Sequence, residues 1–452
     1  MTETSGKIFF QSLGCDKNLA DSEHMLSRLL KQGYSITDDE TEADIIVVNT
    51  CCFIHDALQE SIDTIIELGS LKETGKLKTL VVAGCMAERY AEEIRKSLPE
   101  VDAIVGTASY DKICEAIEEA AGGDHPVLKG DLTRLPDDSA GRVLSSLNAY
   151  GYLKIAEGCN KGCSYCVIPS VRGPYRSVPM EDLVSEARKM ARDGVRELIL
   201  VAQETTLYGT DLYGKKALPD LLRKLNEIED LSFIRIMYCY PEEITEELLQ
   251  TIASCSKVCH YLDLPIQHCS DRILSAMRRR TRKSELLEKI ALIRKILPDC
   301  ALRTTLICGF PGETEAEHEE LKQFIQDVKF DHLGAFTYSR EDGTPAAGMP
   351  DQIDEETKKA RLDAVMALQQ KISQENNEKL LGKTFPALVD GYLPEDGNLV
   401  CRIYRDAPDI DGEFFVPCDH ELMTGSLIQA KVTDVNAYDY SGVLVDENES
   451  AE

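Results

Sequence analysis

The sequence has few positive charges, no long apolar run and no amino-terminal signal segment. Its 50 lysines and arginines stand against 79 aspartates and glutamates, a formal net charge of −29 at pH 7. General attraction to nucleic acid is therefore not expected, and basic partners are favoured. No stretch approaches the roughly 20 apolar residues that a membrane-spanning helix needs. Residues 1–7 are polar and the apolar run after them is too short for a secretory signal. We expect a cytoplasmic protein without membrane contact.

Cysteine, in contrast, is abundant, with 16 residues of this type. In a reducing compartment such cysteines ligate metal or remain thiols rather than forming disulfides. The 452 residues are enough for two to four domains with substantial cores.

The most informative stretch is residues 152–176, YLKIAEGCNKGCSYCVIPSVRGPYR. It contains a C-x3-C-x2-C pattern formed by Cys159, Cys163 and Cys166. Thiolates are soft ligands that suit iron–sulfur clusters or zinc. Three of them can hold three irons of a 4Fe–4S cluster and leave the fourth iron open, whereas a structural zinc site normally takes four protein ligands. A buried cysteine-rich loop and an incomplete zinc knuckle are the alternatives.

A second set of cysteines lies in the amino-terminal part of the chain. Three short apolar, β-branched runs each end in a cysteine, namely residues 7–15, 44–51 and 77–85, which end in Cys15, Cys51 and Cys85. Helical patterns between the runs predict a parallel sheet covered by helices. Because ligands bind at the carboxyl edge of such a sheet, the three thiols should converge there as a second three-cysteine site. The alternative is packing in strand–helix turns, the role we assign to Cys52.

Residues 149–350 resume the alternation of strands and helices. The predicted strands are 152–156, 197–202, 233–237, 261–264, 302–308 and 333–337. Six such units predict an open (βα)6 partial barrel with its chemistry at the carboxyl-terminal face of the strands. A long helix is predicted over 354–381, with an apolar stripe at Ala360, Val365, Leu368 and Ile372.

The carboxyl-terminal part predicts a different architecture. Five short strands after residue 384 indicate a small all-β barrel. Residues 383–447 contain four basic and thirteen acidic residues, so we expect this barrel to prefer a strongly basic protein. Its segment 405–412 is especially acidic, with a solvated loop as the alternative. The expected domains are 1–125, a linker or wrapping arm over 126–148, 149–381, and 382–448.

Two further patterns have weaker implications. Cysteines and histidines cluster between residues 255 and 269 and would make a rival metal site, with Cys255, Cys259, His260, His268 and Cys269 as its ligands. His260 and His268 flank the apolar strand YLDLPI and are expected at opposite ends of it, which disfavours this site. The basic run 278–283 is expected to be a solvated face, or else a contact for an anion or an electron donor.

The cysteine loop resembles the signature of radical S-adenosylmethionine enzymes, and the carboxyl-terminal barrel resembles the TRAM domain. Together with the amino-terminal cysteines, these features resemble the methylthiotransferases over nearly the whole chain. SLGCDKNLADSE (12–23), NTCCFIHDALQES (49–61) and DAPDIDG (406–412) resemble the branch that modifies an aspartate of small-subunit ribosomal protein S12. The sequence departs from that branch at Cys52, where glycine is usual, and at Glu204, where aspartate is expected.

The resemblance implies cofactors, partners and site residues. It implies two 4Fe–4S clusters, one on each three-cysteine set, and S-adenosylmethionine bound near Gln203, Glu204, Gly309 and Gly312. A helix-capping or solvated carboxylate is the plain alternative for Glu204, and a tight turn is the plain alternative for the two glycines. The chemistry is cluster-based, so no side chain is assigned as catalytic. The implied product is 3-methylthioaspartate, and the implied reductant is a flavodoxin or a ferredoxin.

Three other functions are weighed against this one. The first is methylthiolation of a tRNA adenosine, although the glutamine–methionine–asparagine pattern and basic tail of that branch are missing. The second is a non-catalytic iron–sulfur electron carrier or assembly scaffold. The third is a zinc-stabilised nucleic-acid-binding protein. Formation of 5′-deoxyadenosine from S-adenosylmethionine, iron content and substrate preference discriminate among them.

Overall fold

The structure is a computed structural model that describes residues 6–145 and 149–445. It contains two compact units. Unit 1 comprises residues 1–146, 156–178 and 339–347, and unit 2 comprises residues 147–155, 179–338 and 348–452. The polar start of the chain at residues 1–5, the end of the predicted linker at 146–148 and the end of the predicted barrel domain at 446–448 lie outside the described residues. The predicted domain boundaries stay a prediction.

The described elements up to residue 178 follow the predicted alternation. The strands are β1 (Lys7–Ser12), β2 (Ser35–Ile36), β3 (Ile45–Thr50), β4 (Thr79–Gly84), β5 (Ala103–Val105), β6 (Val127–Leu128), β7 (Tyr150–Lys154), β8 (Ala156–Glu157) and β9 (Arg176–Ser177). The α-helices are α1 (Asp16–Lys31), α2 (His55–Gly69), α3 (Leu71–Thr74), α4 (Cys85–Arg89), α5 (Ala91–Ser97), α6 (Ile113–Ala121) and α7 (Ile168–Arg172), with 3-10 turns at Glu40–Glu42 and Thr107–Lys112.

Unit 1 contains a parallel sheet with the strand order β2-β1-β3-β4-β5-β6. Every residue of β3 and β4 is buried, as expected for central strands covered on both faces. Alternate side chains enter different cores: Ile46 and Val82 lie in one core, and Val47 and Val81 lie in the other. The predicted amino-terminal parallel α/β fold is confirmed.

Residues 137–145 run along α1. The carbonyl groups of Ala140 and Gly141 bind Ser27 Oγ at 2.9 Å and His24 Nδ1 at 3.2 Å, respectively. Arg142 forms a buried ion pair with Glu23. Residues 137–145 therefore follow α1, and the role of 126–148 as a linker or a wrapping arm stays a prediction.

The described elements after residue 178 complete the barrel and add the carboxyl-terminal domain. The strands are β10 (Glu197–Val201), β11 (Phe233–Ile236), β12 (Tyr261–Asp263), β13 (Ala301–Cys308), β14 (His332–Thr337), β15 (Thr384–Leu393), β16 (Asn398–Arg402), β17 (Phe414–Pro417), β18 (Leu427–Val435) and β19 (Tyr440–Leu444). The α-helices are α8 (Met180–Arg192), α9 (Thr210–Tyr213), α10 (Leu218–Asn226), α11 (Glu246–Ser254), α12 (Asp271–Ala276), α13 (Lys283–Ile296), α14 (Glu315–Val328) and α15 (Glu355–Asn377), with 3-10 turns at Pro241–Glu243, Pro345–Gly348 and Glu378–Leu380.

Six parallel strands of unit 2 form the predicted partial barrel. They occur as two three-stranded sheets, β7-β10-β11 and β12-β13-β14. The two sheets are joined where the Cys259 N–H donates to the Ile234 carbonyl at 2.9 Å. The open (βα)6 architecture is confirmed.

The predicted apolar stripe on the long helix α15 is only partly right. Val365 and Ile372 are buried as expected, but Ala360 and Leu368 are not. The rest of the buried face is polar, and it includes Lys358, Arg361, Gln369 and Asn376. These side chains bind backbone carbonyl groups, which compensates for their burial.

The carboxyl-terminal strands close into a barrel with the order β15-β16-β17-β19-β18. Its core contains Val389, Leu399, Phe414 and Val432. The predicted small all-β barrel is confirmed.

Most of the acidic segment 405–412 is not a solvated loop, because of its three aspartates only Asp409 is exposed. The Tyr261 hydroxyl, at the start of β12, donates to Asp411 Oδ2 at 2.7 Å. The His332 ring, at the start of β14, contacts the Arg405 carbonyl and lies 3.7 Å from the Asp406 carboxylate. This segment therefore docks the carboxyl-terminal barrel on the amino-terminal ends of the parallel strands. Composition alone could not reveal this, because the partners of these acids are distant in sequence.

A buried ion pair network supports the same contact. Glu197, the first residue of β10, lies between the guanidinium groups of Arg235 and Arg402, and all three side chains are buried. Burial alone would raise the pKa of Glu197, but the two arginines lower it below its ordinary value. Removing one member would leave buried charge unpaired, which is strongly destabilising.

We expect the substitution Asp406→Asn to change how stability depends on pH. Burial raises the pKa of Asp406 to about 6, against the opposing charges of His332 and Arg405. Because this pKa exceeds the ordinary aspartate value, the folded protein binds more protons than the unfolded chain between about pH 4 and 6. Stability from this group therefore falls by about 3 kcal/mol as pH rises through that window. The measurement is the free energy of unfolding by urea at several pH values.

Relative to wild type, the Asp406→Asn protein should gain stability from about pH 4 to 6 and show no further relative gain above that. The exposed Asp409 of the same loop, changed to asparagine, is the matched control and should follow the wild-type curve. Parallel curves for wild type and Asp406→Asn would contradict the assignment.

Candidate iron–sulfur site

The cysteine loop is closed at its base by the antiparallel pair β8 and β9. Within it, the Cys159 N–H donates to the Gly173 carbonyl at 3.1 Å. Gly158 has φ +78°, and a Cβ there would lie 2.2 Å from the Pro174 carbonyl oxygen. Only glycine fits this close approach of two backbones.

Backbone N–H groups point at two sulfur atoms of the loop. The Lys161 N–H donates to Cys159 Sγ, and the Ile168 N–H donates to Cys166 Sγ, both at 3.4 Å. Hydrogen bonds to sulfur are a standard means of stabilising and tuning cluster-ligating thiolates. Cys159 and Cys163 are buried and Cys166 is half-buried. The donor set therefore fits a 4Fe–4S cluster with three protein ligands.

The second cysteine set follows three neighbouring strands. Cys51 and Cys85 come directly after the carboxyl ends of β3 and β4, and Cys15 follows β1 after Leu13 and Gly14. The three strands are adjacent in the sheet. A Cβ on Gly14 would lie 2.7 Å from Cys51 Cβ and 3.1 Å from its sulfur. The chain before Cys15 thus needs a glycine to pass this close to Cys51. The structure brings the three thiols to one sheet edge, as the sequence predicted.

The local electrostatics match this convergence. Burial raises the pKa of Cys51, and the neighbouring Cys15 raises it further. Burial also raises the pKa of Cys85, opposed by Arg172 and increased by Cys51 and Cys15. Without metal these buried thiols hold their protons, and a metal cluster would displace them.

Cys52, next to this set, lies in an apolar core. It is fully buried there with Leu13, Ile65 and Met86. Burial raises its pKa to about 12, so it is an inert thiol under ordinary conditions. This agrees with the packing role predicted for it.

Arg172, on α7 of the cysteine loop, reaches the second cysteine set. Its Nε donates to Cys85 Sγ at 3.4 Å. Nη1 donates to Asp21 at 2.6 Å and to Glu157 at 3.1 Å. Nη2 donates to the Asn18 side-chain oxygen. The guanidinium is 2% exposed, so the two cysteine sets are joined by one buried side chain within unit 1.

The residues predicted to bind S-adenosylmethionine belong to unit 2. Glu204 is fully buried, and its Oε1 accepts from the Thr206 N–H at 3.0 Å. This contact closes a local turn and is not the helix cap considered from the sequence, since the next helix, α9, begins at Thr210 and has no side-chain cap. Gln203, half-buried, precedes it at the end of β10.

The second predicted segment is a tight turn after β13. The Gly309 N–H donates to Glu313 Oε2 at 2.5 Å, and a Cβ at Gly309 would lie 2.4 Å from Lys358 Cγ. Gly312 also has a positive φ, +77°, and its N–H donates to the Asp351 carbonyl. Both glycines are thus required by the turn itself, and their role toward a ligand stays a prediction.

Comparison with known proteins identifies the family. Residues 7–106 match the uncharacterized protein family UPF0004, 153–325 the radical SAM superfamily, and 381–445 the TRAM domain. The chain is 54% identical over 436 residues to ribosomal protein uS12 methylthiotransferase RimO of Lachnoclostridium phytofermentans, covering 96% of this chain and 99% of that protein. The proteins of the same name from Clostridioides difficile and Geobacter sulfurreducens are 48% and 47% identical, covering 96% and 98% of this chain and 98% and 100% of theirs.

The chain belongs to the RimO methylthiotransferase family.

It is therefore a transferase of the radical SAM superfamily, with 4Fe–4S clusters and S-adenosylmethionine as cofactors. Solved structures agree at the level of the fold. The radical S-adenosylmethionine methyltransferase TsrM from Kitasatospora setae has a TM-score of 0.56 at 15% identity, covering 75% of this chain and 76% of that chain. The radical enzyme OxsB has a TM-score of 0.52 at 12% identity, covering 81% and 56%.

Sequence reasoning missed the polar residues around Arg172. Asn18 and Asp21 are one turn apart on α1 and both are buried. The sequence did contain a signal for them, because α1 begins directly after the predicted ligand Cys15 and polar residues three apart lie on the same face of a helix. Arg172 lies six positions after Cys166, so a basic residue close to a predicted ligand was a second signal. The sequence placed it in a different predicted domain from Cys85, so their contact was not anticipated.

The rival metal cluster is not assembled in the described part of the chain. His260 Nδ1 binds Asp299 at 2.8 Å, and His268 Nδ1 accepts the Ser270 N–H. Among the described residues, three metal-type side chains with ligand atoms within 4.8 Å of one another occur at Cys418, Asp419 and His420, and none of the five rival ligands belongs to this group. The thiols of the two predicted cluster sets are not this close together either, which a cluster allows because each ligand binds a different iron. The basic run is partly structural, since Arg279 is buried and stacks 4.2 Å from the Tyr240 ring centroid.

The described helices include none that is both long enough and apolar enough to cross a membrane.

Proposed function

We propose that the protein inserts sulfur and a methyl group at the β-carbon of an aspartate in ribosomal protein uS12, giving 3-methylthioaspartate. The observation that carries this proposal is the presence of two three-cysteine sites in one compact unit, joined through Arg172. One such site would suffice for an electron carrier, whereas sulfur insertion needs a site that generates a radical and a site that supplies sulfur.

The two sites have distinct roles. Cys159, Cys163 and Cys166 would hold the cluster that binds S-adenosylmethionine, and Cys15, Cys51 and Cys85 would hold the auxiliary cluster. When bound, these cofactors supply radical and sulfur-transfer chemistry at an unactivated C–H bond, which no general base could deprotonate. Around them, the chain's own residues position the ligating thiols.

Gln203, Glu204, Gly309 and Gly312 would contribute to binding of S-adenosylmethionine. The carboxylate of Glu204 suits an ammonium group as its partner. Of the two glycines, Gly312 would let the backbone approach a ligand closely, whereas the missing side chain of Gly309 makes room for Lys358.

The surface charge of the carboxyl-terminal barrel supports a basic protein substrate. After its buried acids have been paired internally, seven exposed carboxylates remain among the barrel residues that the structure describes, against two exposed lysines. They are Glu395, Asp396, Asp409, Glu413, Asp419, Glu421 and Asp434, against Lys383 and Lys431. Phosphate recognition needs the opposite sign.

A ribosomal protein substrate places the proposed reaction in the cytoplasm, where a flavodoxin or a ferredoxin would reduce the enzyme.

The test is incubation of the anaerobically reconstituted enzyme with uS12 and with tRNA in separate reactions, in the presence of dithionite and S-adenosylmethionine. Mass spectrometry should show a methylthio group on one aspartate of uS12 and no change in tRNA. Modification of tRNA alone would overturn the choice of substrate. Absence of 5′-deoxyadenosine in both reactions would overturn the catalytic proposal.

A further inference from the structure

We infer that Arg172 is a positioning residue that orients the Cys85 thiolate and raises the reduction potential of the auxiliary cluster. The inference rests on the proposed function, because it requires a cluster on Cys15, Cys51 and Cys85. It goes beyond that function by assigning a tuning role to a residue of the other cysteine loop.

The geometry leaves the guanidinium little freedom. Asp21 and Glu157 hold Nη1 from two different elements, α1 and β8. The Asn18 side-chain oxygen holds Nη2. The fork is planar and rigid, so these contacts fix the direction of Nε–H, which points at Cys85 Sγ from 3.4 Å.

The two carboxylates occupy one end of the guanidinium and leave Nε–H for sulfur. Asp21 and Glu157 both accept from Nη1, and the Nε–H donates to Cys85 Sγ. Arginine stays protonated in proteins and is therefore a permanent donor. A hydrogen bond to a ligating thiolate withdraws electron density from the cluster and makes reduction easier.

The contact between Arg172 and Cys85 joins two segments that are far apart in the sequence. Arg172 ends the short helix that follows Cys166, and Cys85 begins α4 directly after β4. A change at position 172 therefore acts on the auxiliary site without altering any predicted cluster ligand.

The experiment uses full-length protein that retains only the auxiliary cluster, made by changing Cys159, Cys163 and Cys166 to alanine. Its midpoint potential is measured by redox titration followed by electron paramagnetic resonance, with and without Arg172→Lys. Lysine keeps the positive charge for the two carboxylates but lacks the rigid Nε–H donor. We expect a more negative potential, or selective loss of the auxiliary cluster.

Two controls make the result specific. Arg142→Lys changes another buried arginine, which pairs with Glu23 in the same unit, and should leave the potential unchanged. The second control is protein with alanine at Cys15, Cys51 and Cys85, which retains only the cluster on Cys159, Cys163 and Cys166. In this protein, Arg172→Lys should leave the midpoint potential of that cluster unchanged. An unchanged potential of an intact auxiliary cluster in Arg172→Lys would overturn the inference while leaving the proposed function standing.

If the Arg172→Lys protein fails to fold, a second measurement tests the inference with Arg172 unchanged. In otherwise unaltered auxiliary-cluster protein labelled with 15N-arginine, pulsed electron paramagnetic resonance of the reduced cluster should detect a weak arginine nitrogen coupling. Its absence would overturn the inference. If no auxiliary cluster forms even with Arg172 present, the proposed function itself fails.

Discussion

Changing Cys159 to alanine should abolish cleavage of S-adenosylmethionine. Cys159 is one of three thiols in the loop closed by β8 and β9, and its sulfur accepts the Lys161 N–H. With two thiolates left, the loop cannot hold three irons of a cube. We expect 5′-deoxyadenosine formation under dithionite to fall at least about a thousandfold, which corresponds to about 4 kcal/mol of lost transition-state stabilisation. Chromatography of the quenched reaction measures the product.

Cys114→Ala is the matched control for this experiment. Cys114 is a half-buried cysteine on α6 in the same unit and belongs to neither set. Its variant should form 5′-deoxyadenosine at the wild-type rate. Retention of cleavage by the Cys159→Ala protein would remove this loop from the proposed mechanism.

Changing Cys51 to alanine should separate the two halves of the reaction. The auxiliary site loses a buried ligand, whereas the cysteine loop keeps all three of its thiols. Cleavage of S-adenosylmethionine should therefore persist while methylthiolated uS12 falls below detection. The two products, 5′-deoxyadenosine and modified peptide, are measured in one reaction by mass spectrometry.

The neighbouring Cys52 provides an internal control. It lies in the apolar core and has a raised pKa, so Cys52→Ala should retain both products and lose only some stability. Loss of a small buried side chain costs on the order of 1 kcal/mol. If Cys52→Ala, rather than Cys51→Ala, removes the auxiliary cluster, the ligand assignment is wrong.

Local pattern was sufficient to predict most of the elements. The short apolar runs and the helical patterns between them predicted a parallel sheet, whose strands share one carboxyl edge. That shared edge is why Cys15, Cys51 and Cys85 could be placed together from sequence alone, whereas the adjacency of β1, β3 and β4 is seen only in the structure. The spacing of the other three cysteines needed no tertiary information.

Long-range pairing was not predictable in the same way. The contact of Arg172 with Cys85 joins two segments that the sequence assigned to different domains. From the sequence, Asp406 and Asp411 are interpreted as surface charge. Their partners His332 and Tyr261 lie at the starts of β14 and β12, far from them in the sequence. The apolar periodicity of α15 also predicted its buried face only in part. Lys358 and Arg361 are buried there and make polar contacts, whereas Ala360 and Leu368 of the predicted stripe are not buried.

Iron and sulfide analysis of the anaerobically purified protein tests the central claim, two separate cluster sites, most directly. The wild type should contain about eight irons per chain, and alanine at either complete cysteine set should reduce this to about four. Wild-type protein with about four irons, or a set of three substitutions that leaves the iron content unchanged, would contradict the account.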